Sequence, residues 1–495
     1  MSSSRRPNIL HLFTDQQRFD TIAALGHYPF LKTPNLDRLT SEGTTFERAY
    51  SPSPECVPAR ACMITGQYPG RTGCFSNANR MPAEDQPTFM ERLRQSGYRT
   101  HGVGKCHFTP DPYSKRGFET RDYQEEIPED RVRDDYARDL VESDCGWVLE
   151  PHGIRGEMYY VPQPSLLPEE KHPTHWIGDR SIDFIESEKT ESQPWYLYSS
   201  FIHPHPPFAP PVPWHKLYRG PDMPLPDLPG DLEELTFFIN RRQNRQKYRD
   251  YGGLDLNLIR QMRAYYFACI SFIDKQVGRI LQSLEKTGQL ENTLIVFSAD
   301  HGEYLGDYGC FGKRGMHDVS ARVPMIVRWP DGSRADTRTG TPVSLIDLAP
   351  TFLRAADVPF ETEDFDGIPL QSVADGSTGR TQVFSQYNCQ ENGLYMAVEE
   401  GWKYIFSAPD QKEYLFDLTN DPRENHNLAS TTESHPELLR LREACQNWVH
   451  TTGQPGALAP DGTWHEYPIQ KVPQDPNAML GFQDPRWWDG KLPEW

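Results

Sequence analysis

Apolar positions along this chain follow two periods, and the two alternate. Unbroken apolar runs at Asn8–Phe13, Tyr196–Ile202 and Leu294–Ser298 read as buried strands, as does the segment near 100–104. Val323–Trp329 reads as another. Helical patterns lie between them. Thr33-Pro34 opens one with Leu36 and Leu39 on one face, since proline is tolerated in a first turn. Ala59–Thr65, Thr88–Ser96 and Asp347–Ala355 are short helices. Leu256–Lys286 is a long one, with Met262, Tyr266, Cys269, Ile273, Val277, Ile280 and Leu284 at helical spacing. Strands alternating with helices predict an α/β fold whose central sheet is mostly parallel and sandwiched by helices. Polar residues gather just past the ends of strands 9–13, 100–104 and 294–298. In such sheets that carboxyl edge is where ligands bind.

The pattern changes after about Asp375. Met396–Val398, Lys403–Phe406 and Tyr414–Leu418 read as short antiparallel strands, and Leu438–Val449 as one helix. The expected organisation is a catalytic domain over 1–375, a smaller C-terminal α+β subdomain over 376–455, and an irregular aromatic tail over 456–495. Two segments break the pattern inside the first domain. Residues 108–172 are highly charged with little periodicity. Residues 204–252 carry a proline-rich run and then the basic stretch Asn240–Arg249. Loops this long in a compact chain act as lids or partner surfaces. Trp487, Trp488 and Trp495 in the tail suggest docking on a neighbouring subunit, hence a homo-oligomer.

Composition narrows the function classes. Of 495 residues, 51 are basic and 70 acidic, a formal charge of -19. That field repels nucleic acid and anionic membrane, so neither is an expected partner. Taken alone, it also disfavours an anionic substrate. No apolar run approaches the ~18 residues of a membrane span, and no apolar core of a signal peptide precedes Asn8. Nine scattered cysteines without a C-x-x-C pair predict reduced thiols, a cytoplasmic chain and no structural zinc.

The candidate chemistry begins at Cys56-Val-Pro-Ala-Arg60, a weak pattern by itself. Its context strengthens it. Arg60-Ala-Cys-Met-Ile-Thr65-Gly66 follows directly, and Gly97-Tyr-Arg-Thr-His-Gly-Val-Gly-Lys105-Cys-His107 lies further on. The first strand ends in Asp15-Gln16 and a later one in Asp300-His301-Gly302. Lys313 precedes Arg322-Val-Pro, and Tyr414-Leu-Phe-Asp417 leads to Asp421-Pro422 and Asn427-Leu428. Asp15, Gln16, Asp300 and His301 offer two carboxylates, an amide oxygen and one imidazole, a set that suits a hard divalent cation.

With these motifs in this order, from Asn8 to about Leu428, the chain resembles the type I, formylglycine-dependent sulfatases of the alkaline phosphatase superfamily. Its nearest branches are choline-sulfatase-like and phosphonate monoester hydrolase-like. The resemblance implies an alkaline phosphatase-like fold and a sulfuric ester hydrolase. It implies that a separate formylglycine-generating enzyme oxidises Cys56 to an aldehyde, hydrated to a geminal diol. It implies Ca2+ at Asp15, Gln16, Asp300, His301 and residue 56, with Mn2+ and Mg2+ as alternatives. Arg60, Lys105, His107, His205 and Lys313 match catalytic positions, and Asn77 a substrate-binding one. His205, not His203, fits the family's Pro-His-x-Pro pattern. His317 and Asp318, close to Lys313, are candidates for a supporting shell. The substrate would be a small-molecule or saccharide sulfate ester.

Two departures stand out. Asp15-Gln16 replaces the common pair of aspartates, which lowers the ligand charge, and Cys106 sits where an aromatic residue or methionine is usual. Phosphonate monoester and phosphodiester hydrolases share the Asp-Gln start but lack a Lys-x-His pair like Lys105 and His107. A silent binding protein with unmodified Cys56 leaves two lysines and two histidines unexplained, and a Cys56–His107 hydrolase dyad leaves the metal pairs unexplained.

Overall fold

A computed structural model describes residues 6–472, apart from 83–85, 129, 189–192, 248–253, 431–434 and 455. The three tail tryptophans lie outside the described residues. The main sheet has eight strands: β1 (Asn8–Asp15), β2 (Thr44–Phe46), β3 (Arg99–Gly104), β4 (Thr120–Tyr123), β5 (Trp195–Pro204), β6 (Thr293–Ala299), β7 (Met325–Arg328) and β8 (Thr337–Thr339). Their order across the sheet is β8-β2-β7-β6-β1-β5-β3-β4. The five strands β6-β1-β5-β3-β4 run parallel, and β7 pairs antiparallel to both β6 and β2.

Strand alternation divides the core. Ile9 and Phe13 of β1 join one buried cluster, and Leu10 and Leu12 join another. Successive side chains of a strand point to opposite faces, so a strand buried on both sides reads as one continuous apolar run. The first face is covered by α2 (Cys56–Thr65), α3 (Phe89–Gln95) and α6 (Leu348–Ala355). The second is covered by α1 (Pro34–Glu42), α4 (Pro173–Ser187) and α5 (Leu256–Lys286). Helix α5 has the predicted bounds. Asp255 caps its start, accepting from the backbone N–H groups of Asn257 and Leu258. Among the described residues, no helix is long and apolar enough to cross a membrane.

A second sheet is a four-stranded antiparallel meander: β9 (Val383–Tyr387), β10 (Leu394–Val398), β11 (Trp402–Ser407) and β12 (Lys412–Asp417). Helix α7 (Pro436–Thr451) packs on one face through Leu438, Leu441, Cys445 and Trp448. The fold class is therefore the expected one.

Three differences have physical causes. Val323–Trp329 is not one strand. Arg322–Val323 pairs in a small three-stranded sheet, Met325–Arg328 joins the main one, and Pro324 separates them. Helix α4 was not anticipated, although His172 caps it and Pro173 occupies its first turn. The charged segment 108–172 contributes edge strand β4, whose alternating polar residues carry little apolar signal.

Candidate active site

Four adjacent parallel strands end on one edge of the main sheet, and each delivers a polar residue there. β1 ends at Asp15 and leads to Gln16, β3 to Lys105, β5 to His205, and β6 to Asp300 and His301. Helix α2 points its first residue, Cys56, at the same edge, with all ten of its residues buried. Gly104 makes the turn out of β3. Its φ is +86, and a Cβ there would lie 2.2 Å from the Ser200 carbonyl oxygen, so only glycine lets Lys105 leave the strand at this point.

The Sγ of Cys56 lies 2.7 Å from Lys313 Nζ, 3.3 Å from His301 Nε2 and 3.6 Å from Asp15 Oδ1. Burial and Asp15 push the thiol's pKa up. The cations of Lys313, Lys105 and His301 outweigh them and bring it down to about 7. The buried Arg60 guanidinium ties the edge together. Its Nε donates to Asp300 Oδ2 at 3.0 Å and its Nη2 to Asp15 Oδ2 at 3.3 Å. Its Nη1 reaches the Lys105 carbonyl at 2.7 Å, Tyr198 Oη at 3.1 Å and Ser200 Oγ at 3.1 Å. Lys105 Nζ sits 2.7 Å from Asp15 Oδ2 and 2.8 Å from Glu126 Oε2.

The carboxylates respond in opposite directions. Burial opposes ionisation of Asp15, but Lys105, His205, Lys313 and Arg60 hold it well below the ordinary range. Burial and the Asp15 charge push Asp300 up. Ligand atoms of Asp15, Cys56, Asp300 and His301 all lie within 4.8 Å of one another, and all four residues are buried. His301 directs Nδ1 at the Gly302 carbonyl (3.1 Å), which leaves Nε2 facing the cluster. Gln16 Oε1 is buried without a hydrogen-bond partner. Two facing carboxylates, an imidazole nitrogen and an orphaned amide oxygen are what a hard divalent cation requires. The residues present therefore fit such an ion.

The remaining expected residues fall around this centre. His205 hydrogen-bonds through Nδ1 to the Pro206 carbonyl at 2.7 Å, with Glu126 Oε1 at 3.4 Å. Burial, helped by Lys313, holds its pKa well below the usual imidazole range. The N–H of His107 donates to Glu125. Burial and Lys105 push the His107 ring down to about 4. Asn77 Oδ1 accepts from the Val57 N–H at 2.9 Å, so Asn77 stands at the start of α2 beside Cys56. His317 and Asp318 face elsewhere. His317 bonds Tyr304 and stacks on Tyr308, while Asp318 binds Lys403 and Arg322.

His203 sits in a separate buried group with His152 and His172, with ring centroids 6.2 and 5.0 Å away. Burial pushes His203 down to about 4 and His152 down to about 3, from an unfolded value of 6.5. Protons therefore bind the unfolded chain first. The stability these rings contribute is complete above about pH 6.5 and is lost as pH falls from there toward 4. Urea unfolding of His203→Gln should show a stability–pH slope shallower by about one proton between pH 6 and 5. An unchanged slope would contradict the assignment.

Several contributors escaped the sequence reading. Glu126 lies in the charged segment 108–172 and joins Lys105, His205 and Arg155, the last at 2.7 Å. A carboxylate in so charged a stretch carries no local sign that it is buried. Tyr198 and Ser200 lie on β5, where inward hydroxyls look like ordinary strand residues. Gln243, from the 204–252 segment, donates to the Lys313 carbonyl at 2.5 Å and so backs the loop that presents Lys313.

The model of the family described as Sulfatase matches residues 7–358. The chain belongs to the sulfatase family. It is a sulfuric ester hydrolase on the α/β scaffold described above, and residues 306–449 also match the N-sulphoglucosamine sulphohydrolase C-terminal model. An arylsulfatase of Clostridium perfringens is 28% identical over 460 residues, covering 88% of this chain and 93% of the relative. A choline-sulfatase of Rhizobium meliloti is 31% identical over 446 residues, covering 86% and 82%. Among solved structures, the phosphonate monoester hydrolase of Silicibacter pomeroyi superposes with a TM-score of 0.78 at 22% identity, covering 93% of this sulfatase and 100% of that chain. That last likeness is one of fold.

Proposed function

We propose that this sulfatase cleaves a small-molecule or saccharide sulfate monoester at residue 56, after a maturation enzyme has oxidised Cys56 to formylglycine. The observation that carries this reading is the ring of Lys313, His301 and Asp15 within 3.6 Å of Cys56 Sγ. A thiolate could attack sulfur, but the resulting thiosulfate ester has no simple exit. The aldehyde hydrate supplies one hydroxyl for attack on sulfur and a second whose deprotonation expels sulfate as the carbonyl re-forms. A divalent cation held by Asp15, Gln16, Asp300 and His301, Ca2+ by family resemblance, would polarise a sulfate oxygen and acidify that hydroxyl.

The protein's own groups divide the remaining work. Arg60 holds both metal-site carboxylates in place. Lys105 and Lys313 are fixed donors for the sulfate oxygens, where charge gathers in the transition state. The proton of His205 is committed through Nδ1 to the Pro206 carbonyl, and burial keeps the ring neutral. Burial opposes the charge on Lys313, but Asp15, which is untouched by the conversion of Cys56, raises its pKa and favours the protonated form. Lys313 is thus the better proton donor to the leaving oxygen. His107, neutral and with Nδ1 unpartnered among the described residues, suits the proton acceptor when sulfate leaves.

A phosphonate monoester is the second reading, favoured by the Asp15-Gln16 start. The deciding experiment is the mass of the tryptic peptide Ala49–Arg60 from protein of the native host. Replacement of CH2–SH by CH=O is expected, and an intact thiol would overturn the formylglycine mechanism. Turnover of an aryl sulfate against an aryl phosphonate then separates the two substrate classes.

A further inference from the structure

We infer that Glu303 is a positioning residue that sets the orientation of the Gln16 amide and thereby completes the cation site. The inference rests on the metal reading above. Gln16 replaces an aspartate, and an amide differs from a carboxylate in having two unlike ends. Only its oxygen can bind a cation; its NH2 would present protons. Something must decide which end faces the cluster.

The backbone of Gln16 is pinned. Its φ is +67, its N–H donates to Asp300 Oδ1 at 3.0 Å, and its carbonyl accepts from Tyr266 Oη at 2.8 Å. The side chain is wholly buried, and which end of its amide faces the cluster remains to be settled. Buried Glu303 settles it. Glu303 Oε1 accepts from the N–H groups of Leu305 (2.9 Å) and Gly312 (2.6 Å), and Oε2 accepts from Tyr160 Oη (2.9 Å) and from Gln16 Nε2. Every one of these contacts asks Glu303 to accept. Turning the Gln16 amide over would set two oxygens against each other in a buried place, at the full cost of a lost charge-assisted bond. The NH2 must face Glu303, and Oε1, which has no partner, is left for the cation. Glu303 thus acts as the outer partner that orients a metal ligand.

The test measures Ca2+ affinity by calorimetry on the full chain stripped of metal, with thermal unfolding in chelator as a control for folding. Glu303→Gln can donate as well as accept, so it releases the amide. Ca2+ affinity should fall about 10- to 100-fold, while unfolding in chelator stays near wild type. In a Gln16→Ala background the same change should cost no further affinity, because Glu303 acts through Gln16. The swap Gln16→Glu with Glu303→Gln keeps the bond and the net charge but makes residue 16 an anionic ligand, and should restore affinity at least to the wild-type level. It remains informative if the single variant does not fold. Unchanged affinity in Glu303→Gln, additive losses in the double variant, or a swap that binds no Ca2+ would each overturn the inference. Wild-type protein that binds no Ca2+, Mn2+ or Mg2+ would instead remove the metal reading beneath it.

Discussion

Cys56→Ala should lose hydrolysis of an aryl sulfate by about 10^4-fold or more, because the substitution removes the nucleophile and not merely a binding contact. The loss should appear in kcat. Lys105 and Lys313 still offer their donors to the sulfate, so KM should change far less. The substitution leaves the ion pairs of Arg60 with Asp15 and Asp300 in place, so thermal unfolding should shift little compared with activity. Steady-state kinetics of wild type and variant on the same aryl sulfate check this. Equal residual activity would exclude residue 56 as the nucleophile. The same pair assayed on an aryl phosphonate shows whether both reactions use one centre.

Arg60→Met should have the largest effect on stability. Its guanidinium is 1% exposed and ion-pairs with Asp15 and Asp300, which are wholly buried. Removing one member of such a group leaves buried carboxylates uncompensated, at a cost of about 3–5 kcal/mol. The expected result is a clear fall in the urea midpoint at pH 7. Added Ca2+ should recover part of it, since an ion that binds only the folded state stabilises by mass action. A change below about 1 kcal/mol would mean that the Arg60 network is not what holds the two carboxylates together. The variant should also lose activity, because Arg60 bonds the Lys105 carbonyl and so anchors the turn that presents the lysine.

The acidic composition shows how local and global electrostatics part company. A net charge of -19 disfavours an anionic substrate at the outer surface. At the carboxyl edge of the sheet, Arg60, Lys105 and Lys313 converge in a buried place where each charge is felt more strongly. Burial opposes the charge on Lys105, but Asp15 and Glu126 raise its pKa and keep it charged. Net charge counts side chains without regard to position, and the site depends on position.

Much of the fold was legible along the chain. The continuous apolar runs of β1, β5 and β6 and the helical period of α5 follow from local sequence. A strand buried on both faces, or a helix with one apolar face, repeats its burial at a fixed interval. Asp15, Gln16, Cys56, Arg60, Lys105, Asp300 and His301 were legible as motifs adjoining those elements. Glu126, Tyr198, Ser200, Gln243 and Glu303 were not singled out. What they do depends on partners up to hundreds of positions away, and no local period records such a contact. The sequence by itself determined the layered α/β scaffold, the family and the motif around Cys56, because these rest on periodicity and on short ordered motifs. Only the tertiary structure decided how the charged 108–172 segment enters the site, and which end of the Gln16 amide is free. Those are matters of direction and of pairing across parallel strands, which form only when the sheet closes.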